Sequence, residues 1–268
     1  CGRIDDHLEG PIQRVAPGEV PYPETMNRGA VAEIGAAAVD AVVVRGDLTS
    51  TGTDEEFAAF EACYGSAFGE RLHTVRGNHD AYLGQQRYSG DRRVVVPGLI
   101  IALLDTVTPR ETNGSLTADQ FDWLDDLATS ADRPVIVMGH HPQWTDGRRS
   151  PDYFGLNPDD SDRLTALIAR RSSVVAYSAG HTHRHRVRRL ASGVPTIEIG
   201  CVKDFPGSWG ELRVYEGGLL HLVHRISTPD ALAWSERCRF LYRDFGVDYQ
   251  AYALGRLEDR CFPIHWRD

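Results

Sequence analysis

Short apolar runs alternate with amphipathic stretches along the first two thirds of the chain. Residues 2–23 are rich in Pro and Gly and lack periodicity, so they read as a loop. Helical spacing follows over about 24–38. In "DAVVVRGDLTSTG" the apolar run from Ala41 to Val44 ends in a polar turn, as in a buried strand. "TDEEFAAFEACYGSAFG" predicts a helix with Thr53 as N-cap and Glu56 closing a capping box. "RLHTVRGNHD" is a short strand ending in a Gly turn, and "RRVVVPGLIIALLDT" gives two strands around Pro97-Gly98. "LTADQFDWLDDLATS" is a helix capped by Thr117 and Gln120, and its stripe of Phe121, Leu124 and Leu127 belongs to a core. "RPVIVMGHHP" and "SSVVAYSAGHTH" are buried strands flanking the helix "SDRLTALIARR".

Beyond these, "VPTIEIG" and "GELRVYEGGLLHLVHRI" add consecutive strands with a Gly-Gly hairpin. Strand–helix alternation followed by strands predicts an α/β fold. Residues 1–228 are expected to form one domain. Residues 229–268 read as a helical, amphipathic extension around Leu232, Trp234 and Phe240, packed on that domain to cover a sheet edge or to serve a homodimer.

Composition narrows the function classes. Hydrophobic residues make up 41% of the 268 and charged ones 25%, so a sizeable core is expected. A formal net charge of −9 argues against a nucleic-acid partner, which needs clustered positive surface. No run of apolar residues is long enough to span a membrane. Cys1, Cys63, Cys201, Cys238 and Cys261 are scattered and form no C-x-x-C pair, which predicts free thiols and a cytoplasmic protein. The start at Cys1 reads as processing or truncation, with a lipid-modified cysteine as the alternative.

The chemistry gathers where strands end. Asp47 stands in "RGDLT", Asn78, His79 and Asp80 in "RGNHD", His140 and His141 in "MGHHP", and His181 and His183 in "AGHTH". In open α/β sheets ligands collect beyond the carboxyl ends of strands. A glycine precedes each cluster (Gly46, Gly77, Gly139, Gly180), where it permits a tight turn. One carboxylate, one amide and several imidazoles suit Mn, Fe, Zn or Co ions. His181 and His183 are two apart, so on an extended segment both face one side. Taken singly, each motif also fits an ordinary turn or solvated loop; four in this order at strand ends do not. His185 reads as a loop or surface histidine.

Together "GDLT", "GNHD", "GHHP" and "GHTH" resemble the calcineurin-like metallophosphoesterase superfamily. The "LLDT" at 103–106 and the "HHP" form are similar to its bacterial cyclic-nucleotide phosphodiesterase-type branch. The resemblance spans roughly residues 24 to 226. It implies a four-layer metallophosphoesterase sandwich, two mixed β-sheets flanked by helices, with two divalent metal ions. Asp47 would bridge the ions, Asn78, His140 and His181 would complete one of them, and His183 would bind the other. His79 would be catalytic without binding metal, stabilising the transition state or protonating the leaving oxygen. His141 and Asp80 would stand behind the ligands. The implied reaction is hydrolysis of a small phosphodiester, such as a 3′,5′-cyclic nucleotide, by hydroxide held between the ions.

The superfamily carries a further Asp-x-His motif at the end of its first strand. Here the only nearby match is "IDDHL", with Asp5 and His7, preceded by the short and charged "CGRI". Either these two residues serve, or the motif lies before Cys1 and one metal keeps only Asp47 and His183. A phosphomonoesterase, a nuclease of the same fold and a non-catalytic scaffold are the competing functions. Trp144, Tyr153, Lys203 and Asp204 follow strand ends on the same side and are candidate wall residues.

Overall fold

A computed structural model describes residue 20, residues 22–144 and residues 153–267. Cys1, Asp5 and His7 lie outside the described residues.

The first helix, α1 (Tyr22–Ala36), begins two residues before the expected start, because Pro23 is tolerated in a first turn. Its buried Tyr22, Met26, Ala30 and Ile34 recur every fourth residue. Strand β1 (Val42–Arg45) leads to α2 (Asp54–Phe60). The Thr53–Glu56 capping box is present there, and the helix continues through a π turn at Glu61–Gly65 into α3 (Ser66–Phe68). Strand β2 (Leu72–Val75) then pairs parallel to β1.

Strands β3 (Arg92–Val96) and β4 (Leu99–Leu103) form the expected hairpin, with Gly98 at φ 75° in the turn. Next come α4 (Ala118–Ser130) with its Thr117–Gln120 box, β5 (Val135–Met138), α5 (Pro158–Arg170) and β6 (Val174–Ala179). Strands β7 (Arg186–Arg189) and β8 (Pro195–Glu198) complete a six-stranded mixed sheet of order β3-β4-β5-β6-β8-β7. Strands β9 (Ser208–Tyr215) and β10 (Gly218–Arg225) are the predicted second hairpin.

The layers follow from which side chains each strand sends each way. On β4, Ile100 and Ala102 join α4 and α5 in one core, while Leu99, Ile101 and Leu103 face the other sheets with Leu219, Phe262 and Ile264. A third core joins Val42 to Met26, Phe57, Phe60, Ala231 and Trp234. Helices, sheet, sheet and helices therefore stack as four layers. The second sheet layer is not one mixed sheet among the described residues: β1-β2 and a three-stranded antiparallel set are separate. Among the described residues no helix is long and apolar enough to cross a membrane.

The C-terminal segment departs from the all-helical expectation. It contains α6 (Pro229–Arg237) and α7 (Tyr249–Leu254), then β11 (Cys261–His265), antiparallel to β10 at the edge. Phe262 and Ile264 are buried and their neighbours exposed, a period of two that helical spacing masked. Pro263 is admissible because the strand is at an edge.

Candidate metal centre

The polar clusters sit past the carboxyl ends of β1, β2, β5 and β6. Backbone geometry brings them together at a cost. Asp47, His181 and His183 all have left-handed backbones, with φ of 51°, 66° and 54°. Gly46 has φ +84°, and a Cβ there would lie 2.4 Å from His140 Nδ1. A Cβ on Gly77 would lie 2.2 Å from Asp47 Oδ1, so this glycine is needed for close approach. Gly180 does not fit the expected reason: a Cβ there would meet nothing closer than 3.5 Å. The left-handed residues of that loop are the histidines themselves.

Four donor atoms converge. Asn78 Oδ1 is 2.9 Å from His140 Nε2 and 3.0 Å from His181 Nδ1. His140 Nε2 is 3.3 Å from His181 Nδ1 and 3.4 Å from Asp47 Oδ1. His140 Nδ1 donates to the Arg45 carbonyl at 2.8 Å. A carbonyl only accepts, so Nδ1 carries the proton and Nε2 points a lone pair into the cluster. Asn78 Nδ2 donates to the Tyr82 hydroxyl at 2.6 Å, which turns its Oδ1 the same way. His181 Nε2 is buried without a hydrogen-bond partner. Oxygen and nitrogen atoms gathered at such distances fit a shared cation, toward which His181 would present an unprotonated ring nitrogen.

The surroundings hold these atoms in place. Asp80 is fully buried and accepts from Gly77 N at 2.8 Å, Leu48 N at 3.1 Å, Thr49 N at 2.8 Å and Thr49 Oγ1 at 2.7 Å. It ties the "GDLT" loop to the "GNHD" loop. His141 lies close to His140 and His181, yet both its nitrogens are engaged, by Thr106 Oγ1 at 2.8 Å and the Thr112 carbonyl at 3.0 Å. It therefore stands behind the ligands. Burial, then the neighbouring His140, hold it down at about 3, so it stays neutral. Burial favours the neutral Asp47 carboxyl, but His140, His79, His181 and His183 more than reverse this and keep it well below the usual carboxylate range. Sequence reasoning missed the buried Arg76–Asp105 pair (2.9 Å), which anchors the loop before "GNHD"; the "LLDT" string was its only signal.

The His79 ring packs on Tyr82, with ring centroids 4.7 Å apart. Its Nδ1 donates to the Ser50 carbonyl at 2.7 Å, and its backbone N–H donates to Asp47 Oδ1 at 3.2 Å. Nε2 is thus the nitrogen left for chemistry.

His183 belongs to a second cluster. Its Nδ1 is 3.5 Å from Asp204 Oδ2, and ligand atoms of His183, Cys201 and Asp204 all lie within 4.8 Å of one another. Burial opposes charge on His183, but Cys201 and Asp204 push it up to about 10. Tyr249 of α7 donates to Asp204 Oδ1 at 2.8 Å, Tyr252 donates to the Thr182 carbonyl at 2.8 Å, and His185 N donates to the Ala253 carbonyl at 3.0 Å. The C-terminal segment therefore backs the "GHTH" loop, which the sequence did not indicate. Of the candidate wall residues, Asp204 and Lys203 reach this cluster. Trp144 is half-buried, its backbone N–H on Ser161 Oγ. Half-buried Tyr153 adjoins Phe154, whose half-exposed ring stacks on His181 at 4.1 Å.

His185 is a correction. It is 1% exposed, with Nε2 2.9 Å from Ser208 Oγ and Nδ1 accepting from Gly200 N. The neighbouring Arg184, Arg186 and Arg188 turn their charge onto buried Glu198.

Comparisons with known proteins bear on the family and the fold. A probable cyclic nucleotide phosphodiesterase of a Synechococcus species is 26% identical over 77% of this chain and 88% of its own. A cAMP/cGMP dual specificity phosphodiesterase of Mycobacterium tuberculosis is 31% identical over 69% of this chain and 65% of its own. A glycerophosphodiester phosphodiesterase of Enterobacter lignolyticus is 29% identical over 66% of this chain and 67% of its own. Among solved structures, a dimetal phosphatase of Danio rerio superposes with TM-score 0.63 at 19% identity, covering 76% of this chain and 86% of that one, which speaks to the fold. The calcineurin-like phosphoesterase model matches residues 23–185, from α1 through the "GHTH" loop and so across every converging side chain. The chain belongs to that family and is a hydrolase of phosphoric esters.

Proposed function

We propose that the chain is a dinuclear metal-dependent phosphodiesterase acting on a small phosphodiester, with 3′,5′-cyclic nucleotides as the first substrates to try. The observation that carries this is the convergence of Asn78 Oδ1, His140 Nε2, His181 Nδ1 and Asp47 Oδ1. The donor set suits one divalent ion, with Asp47 shared toward a second held by His183. Bound there, such ions supply Lewis-acid polarisation of the phosphoryl oxygens and a water acidified toward neutral pH.

The chain's own residues do the rest. His79, oriented through Nδ1 by the Ser50 carbonyl, presents Nε2 to the leaving alkoxide and, when protonated, gives it a proton. Asp80 keeps Asp47 and His79 in register through the two loops it ties. His140 keeps its Nε2 lone pair because Nδ1–H is committed to Arg45. The names of the relatives support a diester over a monoester. The described cysteines are free, which suits a cytoplasmic setting.

Turnover of bis(p-nitrophenyl) phosphate, p-nitrophenyl phosphate and cyclic AMP by the metal-loaded protein tests this. Diester hydrolysis exceeding monoester hydrolysis is expected. Hydrolysis of the monoester alone would replace the reading by a phosphomonoesterase, and no turnover at full loading would leave a scaffold.

A further inference from the structure

The second cluster has a donor that none of the four motifs contains. Cys201 stands in the loop after β8, three residues before Asp204. Asp204 is 1% exposed. Its Oδ1 accepts from Tyr249 at 2.8 Å and from Cys201 Sγ at 3.0 Å. Its Oδ2 is buried and has no hydrogen-bond donor. Among the described residues the contacts to that oxygen are ion pairs, from His183 Nδ1 at 3.5 Å and Lys203 Nζ at 3.8 Å. At 3.5 and 3.8 Å these two cationic groups meet the buried oxygen only loosely, and a directly bound metal ion would satisfy it more fully. An imidazole, a thiol and a carboxylate within 4.8 Å of one another form the donor mix that zinc takes.

We propose that His183, Cys201 and Asp204 together hold one divalent cation, with the Cys201 sulfur as a direct ligand. This rests on the reading of His183 as a metal ligand and adds its partners. The site selects a thiophilic ion such as Zn2+ or Co2+ over Mn2+, because thiolate is a soft ligand. Binding expels the thiol proton, and any proton on His183 Nδ1, to solvent. Tyr249 is a positioning residue that fixes the Asp204 carboxylate from the C-terminal segment.

Cobalt titration of the whole chain tests the assignment. Thiolate-to-cobalt charge-transfer absorption is expected to saturate at one cobalt per chain. Cys201→Ser should abolish that absorption, while Cys261→Ser, an exposed control, should leave it. Absence of the band at full loading, or its survival in Cys201→Ser, would overturn the proposal. Should Cys201→Ser fail to fold, alkylation of the unaltered protein decides: Zn2+ should protect Cys201 from iodoacetamide, and an unprotected Cys201 would overturn the assignment. Turnover of bis(p-nitrophenyl) phosphate by the cobalt-loaded protein is read separately. A band without turnover removes the phosphodiesterase reading alone, and turnover without a band removes only the cysteine ligand.

Discussion

The two halves of the proposed centre are built differently. Around Asn78, His140 and His181, every donor follows a strand inside the fold; the Tyr82 hydroxyl and the Arg45 carbonyl orient Asn78 and His140, and buried Asp80 ties their loops. Around His183, the remaining donors come from the loop after β8, and the support comes from α7. One half is set by adjacent strand ends. The other depends on a segment nearly fifty residues further along. Rigid support through outer hydrogen bonds preserves ligand geometry, so the first half should tolerate changes in the C-terminal segment that the second does not.

The sharpest way to break this comparison is at Asp47, the residue proposed to serve both halves. Asp47→Asn removes the bridging charge, and turnover of bis(p-nitrophenyl) phosphate should fall roughly a thousandfold or more with loss of paired metal. Unchanged turnover would remove the bridging role. His79→Ala belongs to neither half: metal content should stay, while turnover drops about a hundredfold or more. Loss of metal in that variant would make His79 a ligand.

Tyr249→Phe isolates the second half. It deletes one donor to Asp204, and cobalt affinity at that site should weaken about tenfold while manganese binding at the first is unmoved. Equal weakening of both would erase the distinction. The last effect lies outside the centre and is read in stability rather than in activity or metal affinity. His221 is buried with neither ring nitrogen partnered, and burial, then Arg45 and His185, lower it from 6.5 to about 3. The unfolded chain therefore takes up that proton first. Stability present above pH 6.5 is lost as pH falls toward 3, by about 1.4 kcal/mol per pH unit from this group. His221→Leu should flatten that part of the slope in denaturant titrations at pH 7 and pH 5, and an unchanged slope would contradict it.

The first half of the centre was legible because each donor is adjacent in sequence to a short apolar run that makes its strand. The capping boxes at Thr53 and Thr117 were legible for the same reason: their partners are three residues away. The second half was not. Asp204 and Lys203 could be named only as loop residues, and nothing local marks that Tyr249 closes on Asp204. His185 misled because its charged neighbours pair with Glu198, a partner ten or more residues away in sequence. Strand β11 was hidden by Pro263 and by reading the whole tail with a helical period. Phe154 over His181 carried no signal at all, since a lone aromatic in a loop has no pattern.

Metal content per chain, read beside turnover of bis(p-nitrophenyl) phosphate on the unaltered protein and on Asp47→Asn, tests the central claim most directly. The account predicts two ions and turnover in the first, and fewer ions with no turnover in the second. Two ions and full turnover in both would contradict a centre built on Asp47.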